Sequence, residues 1–457
     1  MGKKQASAMG VRPSKLAGLQ TFTDALRQQL ADRQRVVRAF DIGGSGVKTG
    51  LFSAPALREF LHFEGAPQEA AEGAGAALEE LEWIEPPVSL GEAPGERGFS
   101  AWLVEQVPRL RREVDDPHVC FGVSVGGDVD HATGKINDWW PGGGHPRQWS
   151  ESIPSPLVAD LMGLPPARTF VLHDGEAHLL GCSRSAVPPP GLACLALGTG
   201  VGLGVSDGLG AVVDSTSPHG ERSCCLSGIP LSGAPYKGTW RQWLDRPGGS
   251  NDRVDEVMEK PFANIVSTPW RIPWVSLVLG RRGMELAEAA FNCPPPREPE
   301  SQEGVEAVGA GAAPEAPAAD DPRMPAVRAY GEQWLHFLHT QFVPQFTGGT
   351  RRHPVERLCF AGGVMERNWP AVSQVLLEPG GTTLRPLPPG VGLVAAPGGA
   401  RPTSKRGRGA AQAGAGSSEA AASVTVLPLA PRGSGLIGAG LYALAGMGGG
   451  ASGIWAA

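Results

Sequence analysis

Apolar runs closed by glycine turns alternate along this chain with stretches of helical spacing. Arg35 to Asp41 (RVVRAFD) and Val119 to Val125 (VCFGVSV) read as buried strands. Thr169 to Leu172 and Ala193 to Leu197 are shorter runs of the same kind. Val201 to Val205 and Leu209 to Val213 flank Ser206-Asp207-Gly208, a hairpin signal. Val327, Tyr330, Trp334, Leu338 and Phe342 recur at helical spacing, which turns one face of that segment toward a core. One further helix is expected over Thr23 to Val37. Strands interleaved with helices predict an α/β fold with strand-turn-strand units mixed in.

Two segments break this pattern. Pro294 to Pro325 and Leu387 to Ala422 are dominated by Pro, Ala, Gly and polar residues and hold no aromatic side chain. Neither can bury enough apolar surface to offset its ordering entropy, so both are expected to be disordered insertions. The basic knot Lys405-Arg406-Gly407-Arg408 in the second reads as part of a solvated loop.

Composition narrows the function. The 457 residues suffice for two domains or one two-lobed enzyme, and a formal net charge of -6 argues against a general nucleic-acid or membrane-surface binder. With 65 Gly and 43 Pro, almost a quarter of the chain is Gly or Pro, and part of that excess sits in loops built to bind. The seven cysteines are an odd number without a disulfide-like spacing, which favours a reducing compartment, with cytoplasm the first expectation. No run approaches 18 apolar residues, so no membrane helix is expected. The basic, Ser- and Ala-containing start has no acid before Asp24 and keeps an organelle address, plastid or mitochondrion, open.

Three glycine loops carry the candidate chemistry. The first, Asp41-Ile42-Gly43-Gly44-Ser45-Gly46-Val47-Lys48, runs directly off a strand. Its glycines let several N–H groups approach a phosphate, Asp41 can hold hydrated Mg²⁺, and Lys48 can neutralise phosphate charge. The second, Leu197-Gly198-Thr199-Gly200-Val201-Gly202, offers N–H groups and a hydroxyl between two apolar strands. The third, Ala361-Gly362-Gly363, can admit a flat base against the backbone. None is a Walker loop or a G-x-G-x-x-G fingerprint.

Taken in order, DIGGSGVK, VSVGGDVD, LHDGEAHLLG, LGTGVGLG, FAGGV and GSGLIGAGLYAL form a series that resembles the ROK-family sugar kinases of the actin-like ATPase superfamily, over roughly Val36 to Leu444. The resemblance implies two lobes of related fold, each with a mixed sheet and helices, closing around a cleft. It divides the chain into a flexible extension (1–34), an N-terminal lobe (35–172) and a C-terminal lobe (173–457) that carries both insertions. It makes the first two loops the phosphate sites and Gly362-Gly363 the adenosine site. Asp174 takes the place of the catalytic base, beside His173 where the family usually has Asn. An aspartate there can accept the proton of the attacking hydroxyl.

Gly127, Asn137 and Glu221 are the expected sugar contacts, together with Asp174. Cys224 stands where the family has a sugar-binding His, and no Asn occurs between Trp139 and Trp149. The family's cysteine-rich zinc element is missing. His219, Cys224 and Cys225 lack a fourth ligand, so no structural zinc is expected. The reading is an ATP- and Mg²⁺-dependent hexose kinase, with the 6-hydroxyl of glucose as first guess. Polyphosphate as donor, a catalytically weak sugar sensor and a kinase of a non-sugar hydroxyl are the alternatives. Sugar and nucleotide are the expected partners, nucleic acid is not, and a homodimer stays open. The residues before Asp41 are too few for a helix-turn-helix.

Overall fold

Apolar strands recruit one another wherever both their faces can be covered, and here they do so in two larger sheets, beside a separate two-stranded one. The computed structural model describes residues 13–43, 46–61, 80–91, 98–139, 157–198, 200–214, 279–291, 293, 321–346, 354–387 and 424–455. In chain order the first lobe contributes helix α1 (Pro13–Leu30), strands β1 (Val36–Gly43) and β2 (Gly46–Ser53) and helix α2 (Ala54–Phe60). Then come β3 (Trp83–Ser89), α3 (Phe99–Gln106), α4 (Leu110–Asp115) and β4 (Val119–Val125). The hairpin β5 (Gly127–Asp130) and β6 (Lys135–Trp139), the short α5 (Val158–Met162) and β7 (Thr169–His173) complete it. Helix α6 (Asp174–Gly181) leads to β8 (Leu192–Leu197) and β9 (Val201–Val205). The rest consists of α7 (Arg281–Ala290), α8 (Met324–Phe337), β10 (Arg357–Ala361), α9 (Gly363–Leu376), β11 (Thr425–Val426) and α10 (Ser434–Met447).

The first sheet has the order β3-β2-β1-β4-β7, with antiparallel β3-β2-β1 and parallel β1-β4-β7. The second has the order β11-β10-β8-β9, with β8-β9 antiparallel and β8-β10 parallel. Each sheet therefore contains a hairpin whose first strand runs parallel to a later one, and a glycine turn closes each hairpin. This is the expected mixed α/β architecture with two related sheets.

Helix α10 joins the sheets. It packs on β1, β4 and β7 on one side and on α6 on the other. A shared apolar core results, drawing Leu436, Ile437 and Leu441 from α10, Val37 from β1, Leu179 from α6 and Cys194 from β8. The chain's last long helix thus returns to the first sheet, and no single cut near residue 173 separates the packing units. Among the described residues no helix is long and apolar enough to cross a membrane.

Several expectations need correction. Residues 13–30 are a packed helix and not part of a flexible extension. Phe22 and Leu26 are fully buried, and α1 lies on α10 and on the turn Ala451–Ile454. The helix expected over Thr23 to Val37 starts ten residues earlier and stops at Leu30, because β1 claims Val36 onward. Leu209 to Val213 forms no strand. The chain does turn back there: Asp207 Oδ1 accepts the N–H groups of Leu209 and Ala211, Val212 bridges antiparallel to Ser206 and parallel to Trp455, and the Val213 N–H donates to Val205 O (2.8 Å), but this pairing is too short to make a strand. The first insertion ends before residue 321, since Met324 opens α8 with Pro325 in its first turn, where a missing N–H costs nothing. Residues 294–320 and 388–423, with Lys405 to Arg408, lie outside the described residues.

One charged residue crosses the first sheet. Arg38 is 1% exposed and bonds Glu113 through Nε (2.9 Å) and Nη2 (2.6 Å), while Nη2 also reaches Glu85 at 2.6 Å. Burial alone would lower the Arg38 pKa, but Glu113 and Glu85 outweigh it and raise it. Removing the cation strands a buried carboxylate, so Arg38→Met is expected to cost about 3–5 kcal/mol in urea unfolding. An unchanged midpoint would show that Glu113 finds solvent or another partner.

Candidate active site

The parallel strands β1, β4 and β7 all end at one edge, where open α/β sheets place ligands. At the end of β1, Ser124 of β4 donates its hydroxyl to Asp41 Oδ1 (2.9 Å) and fixes that carboxylate. Among the described residues no basic side chain makes an ion pair with Asp41. Lys48 stands directly across the β1-β2 ladder from it, exposed. Gly43 pairs with Gly46 at the hairpin end; Gly44 and Ser45 lie outside the described residues.

At the end of β7 the chain turns into α6, and His173 caps that helix. Its Nδ1 accepts the Gly175 N–H (3.2 Å), while Glu176 Oε2 accepts the His173 N–H (3.2 Å), a reciprocal capping box. With the cap supplied by His173, Asp174 is the first helical residue. Its Oδ1 accepts the Gly175 N–H (2.7 Å), and the side chain stays 29% exposed.

The two lobes meet at this carboxylate. A Cβ on Gly126, in the turn after β4, would lie 3.3 Å from Asp174 Oδ2. A Cβ on Gly202, in β9 of the second sheet, would lie 3.1 Å from Asp174 Oδ1. The Gly126 N–H also donates to Ile42 O (3.0 Å), which ties this point to the first glycine loop. Gly202→Ala must push the carboxylate by a few tenths of an ångström. If Asp174 is the base, that shift is expected to lower turnover about 10-fold with little change in unfolding midpoint. Equal turnover in the two proteins would show that the carboxylate tolerates displacement.

The second glycine loop is shaped by its neighbours. Gly198 N–H bonds Gly200 O (3.0 Å), and Gly198 O accepts from Arg281 N at the start of α7 (2.9 Å). Gly362 has φ +89°, and a Cβ there would sit 2.5 Å from Leu197 O, so only glycine lets β10 turn into α9 this close to β8. A Cβ on Gly198 or Gly363 would meet nothing within 4 Å, so open space lies beside both. The first and second loops, the double glycine and Asp174 thus belong to one region, each through the contacts given.

Thr199 and Glu221 cannot be placed with them because both lie outside the described residues, as do Cys224 and His219. Gly127 opens β5, one residue from the Gly126 turn, and Asn137 lies on β6 in the same hairpin. Sequence reasoning overlooked Ser124, Gly126 and the pair His178–Ser434, whose Nδ1 and Oγ are 2.8 Å apart, and took Gly202 only as part of the second glycine loop. Gly435, next to Ser434, would meet both His178 Nε2 (3.1 Å) and Asp41 Cγ (3.3 Å) with a Cβ, so α10 begins against the first loop. The SVGG and GSGLIGAG stretches held the signal, as parts of the motif series.

No protein-family model matches the chain, and no curated protein does. Among solved structures it is similar to a ROK hexokinase from Thermus thermophilus, with 16% identity and a TM-score of 0.37 over 89% of this chain and 97% of that one. A ROK family glucokinase from Streptomyces griseus, in complex with glucose and AMPPNP, gives 13%, 0.39, 89% and 98% in the same order. A glucokinase from Balamuthia mandrillaris in complex with glucose gives 14%, 0.40, 94% and 98%. The likeness is one of fold.

Proposed function

We propose that this chain is a sugar kinase that transfers the γ-phosphoryl group of ATP to a hexose hydroxyl, with the glucose 6-hydroxyl as first candidate. The observation that carries the reading is the position of Asp174. Its partly exposed carboxylate is bordered by Gly126 after β4 and by Gly202 of β9, and its Oδ1 shares the Gly175 N–H with His173 Nδ1. In this reading Asp174 accepts the proton of the sugar hydroxyl as the oxygen attacks phosphorus, a contribution of about 10²–10⁴ in rate. The first and second loops hold the phosphates through backbone N–H groups, Thr199 adds its hydroxyl, and Lys48 adds positive charge. The open space beside Gly363 takes the adenine. Gly127, Asn137 and Glu221 are assigned to the sugar.

The fit of a divalent ion rests on Asp41, a carboxylate steadied by Ser124 and without a basic partner among the described residues. Mg²⁺ held there through water would neutralise charge on the transferring phosphates. Seating both lobes against one carboxylate would limit access of water and hence wasteful ATP hydrolysis. The test is ADP and phosphate release across hexoses, amino sugars and polyols, with ATP or polyphosphate as donor. Sugar-dependent release with ATP supports the reading. Release with polyphosphate alone moves the donor site away from adenosine, and no release with any pair contradicts catalysis.

A further inference from the structure

Away from the glycine loops, three side chains from three elements meet in the interior. His131 lies in the turn between β5 and β6, Glu176 in the first turn of α6, and Asp214 beyond β9 in the second lobe. His131 Nε2 is 3.2 Å from Glu176 Oε2 and 3.5 Å from Asp214 Oδ1, and the three ligand atoms lie within 4.8 Å of one another. The side chains are 6%, 0% and 30% exposed. The imidazole stacks on Trp455 with ring centroids 4.0 Å apart and planes inclined by 18°. That stacking holds Nε2 toward the carboxylates.

We infer that His131, Glu176 and Asp214 form a binding site for a zinc-class divalent ion that fastens the two lobes together. Bonds of about 2.0–2.1 Å in a tetrahedral site put neighbouring ligand atoms about 3.3–3.4 Å apart. The two nitrogen–oxygen separations bracket that value. One nitrogen and two carboxylate oxygens suit zinc better than a hard ion such as Mg²⁺, which prefers oxygen ligands and retains its water. Charge points the same way. A divalent ion with a neutral imidazole would balance the two carboxylate charges in a region where Glu176 has no contact with solvent and buried charge is costly.

The half-buried Asp214 gives an entry path and leaves a fourth position for water. Glu176 Oε2 also accepts the His173 N–H, so it is already oriented, as ligating carboxylates usually are. No spacing motif announces this set, because the ligands stand far apart in the sequence. The expectation of no structural zinc weighed only His219, Cys224 and Cys225.

The test uses the full chain, stripped with EDTA, dialysed and titrated with ZnCl₂ while metal content and melting temperature are followed. MgCl₂ serves as the control ion. One equivalent of zinc per chain is expected, with a raised melting temperature and no comparable effect of magnesium. Asp214→Asn, at the most exposed ligand, should retain the wild-type circular dichroism and weaken zinc binding at least about 10-fold. His131→Asn should do the same where it folds. The double variant Cys224→Ser/Cys225→Ser should bind as wild type. Absence of zinc uptake, binding unchanged in Asp214→Asn, or binding lost in the cysteine variant would each overturn the site; the first would leave an ion-paired histidine clamp.

Discussion

Asp174→Asn is expected to fold, to bind nucleotide as before and to lose at least about 10²-fold in sugar phosphorylation. Asparagine keeps an acceptor oxygen for the Gly175 N–H, which His173 Nδ1 also accepts, so the start of the helix does not depend on the carboxylate charge. The variant loses the capacity to take a proton from the attacking hydroxyl. Initial rates of sugar-dependent ADP release, measured beside the unfolding midpoint, separate chemistry from stability. Turnover close to that of the unaltered protein would remove Asp174 from the mechanism. A variant that unfolds would show that the carboxylate serves the fold.

A loss of stability of similar weight is expected from Gly438→Val. A Cβ at Gly438 would lie 1.8 Å from Ala177 O and 2.9 Å from Gly181 N. From the opposite side, a Cβ on Gly181 would lie 1.9 Å from Ser434 O. Helices α6 and α10 thus touch backbone to backbone, and no change of rotamer can relieve an added side chain. Overpacking a core usually costs about 1–3 kcal/mol. Here two helices must part, and α10 also carries contacts to β1 and β4. Gly438→Ala is therefore expected to lose at least about 3 kcal/mol in urea unfolding, and Gly438→Val to yield no folded protein. Gly208→Ala is the control, because a Cβ there meets nothing within 4 Å, and it should stay within about 0.5 kcal/mol. A folded Gly438→Val of ordinary stability would mean that the helices sit farther apart.

What could be read from the sequence depended on whether the signal was local. β4 appears over the expected residues, Val119–Val125, because seven buried positions in a row leave no other reading. Tyr330 and Trp334 are fully buried on α8, as their spacing implied, although the helix passes into a π-turn at Leu338–Phe342. α1 was misread although Leu19, Phe22, Leu26 and Leu30 form a helical stripe, because the basic residues around it resemble a leader. The hairpin signal after Ser206 marks a real reversal, with Val212 bridged to Ser206, but its second arm makes no strand because Val212 also bridges to Trp455, which no local pattern reports.

The candidate site divides in the same way. Asp41 was visible because it runs off an apolar strand into a glycine loop, and Asp174 because the ordered motif series resembles that of the ROK family. The glycines beside Asp174 were visible as glycines, but their purpose lies in a contact between lobes. The bridging role of α10 was hidden for a related reason: a helix of small residues reads as weakly amphipathic, and only the α6 backbone opposite explains Gly438. His131, Glu176 and Asp214 have no shared motif at all. Their meeting is a product of the fold.

The central claim is phosphoryl transfer at Asp174, and ³¹P NMR of the full-length protein with MgATP and glucose tests it most directly. The account expects a new phosphomonoester resonance that grows in step with ADP, and no such resonance over the same period with Asp174→Asn. A phosphomonoester formed equally by both proteins would contradict the assignment of the base. ATP that stays intact with glucose and with every other sugar offered would contradict the proposed kinase.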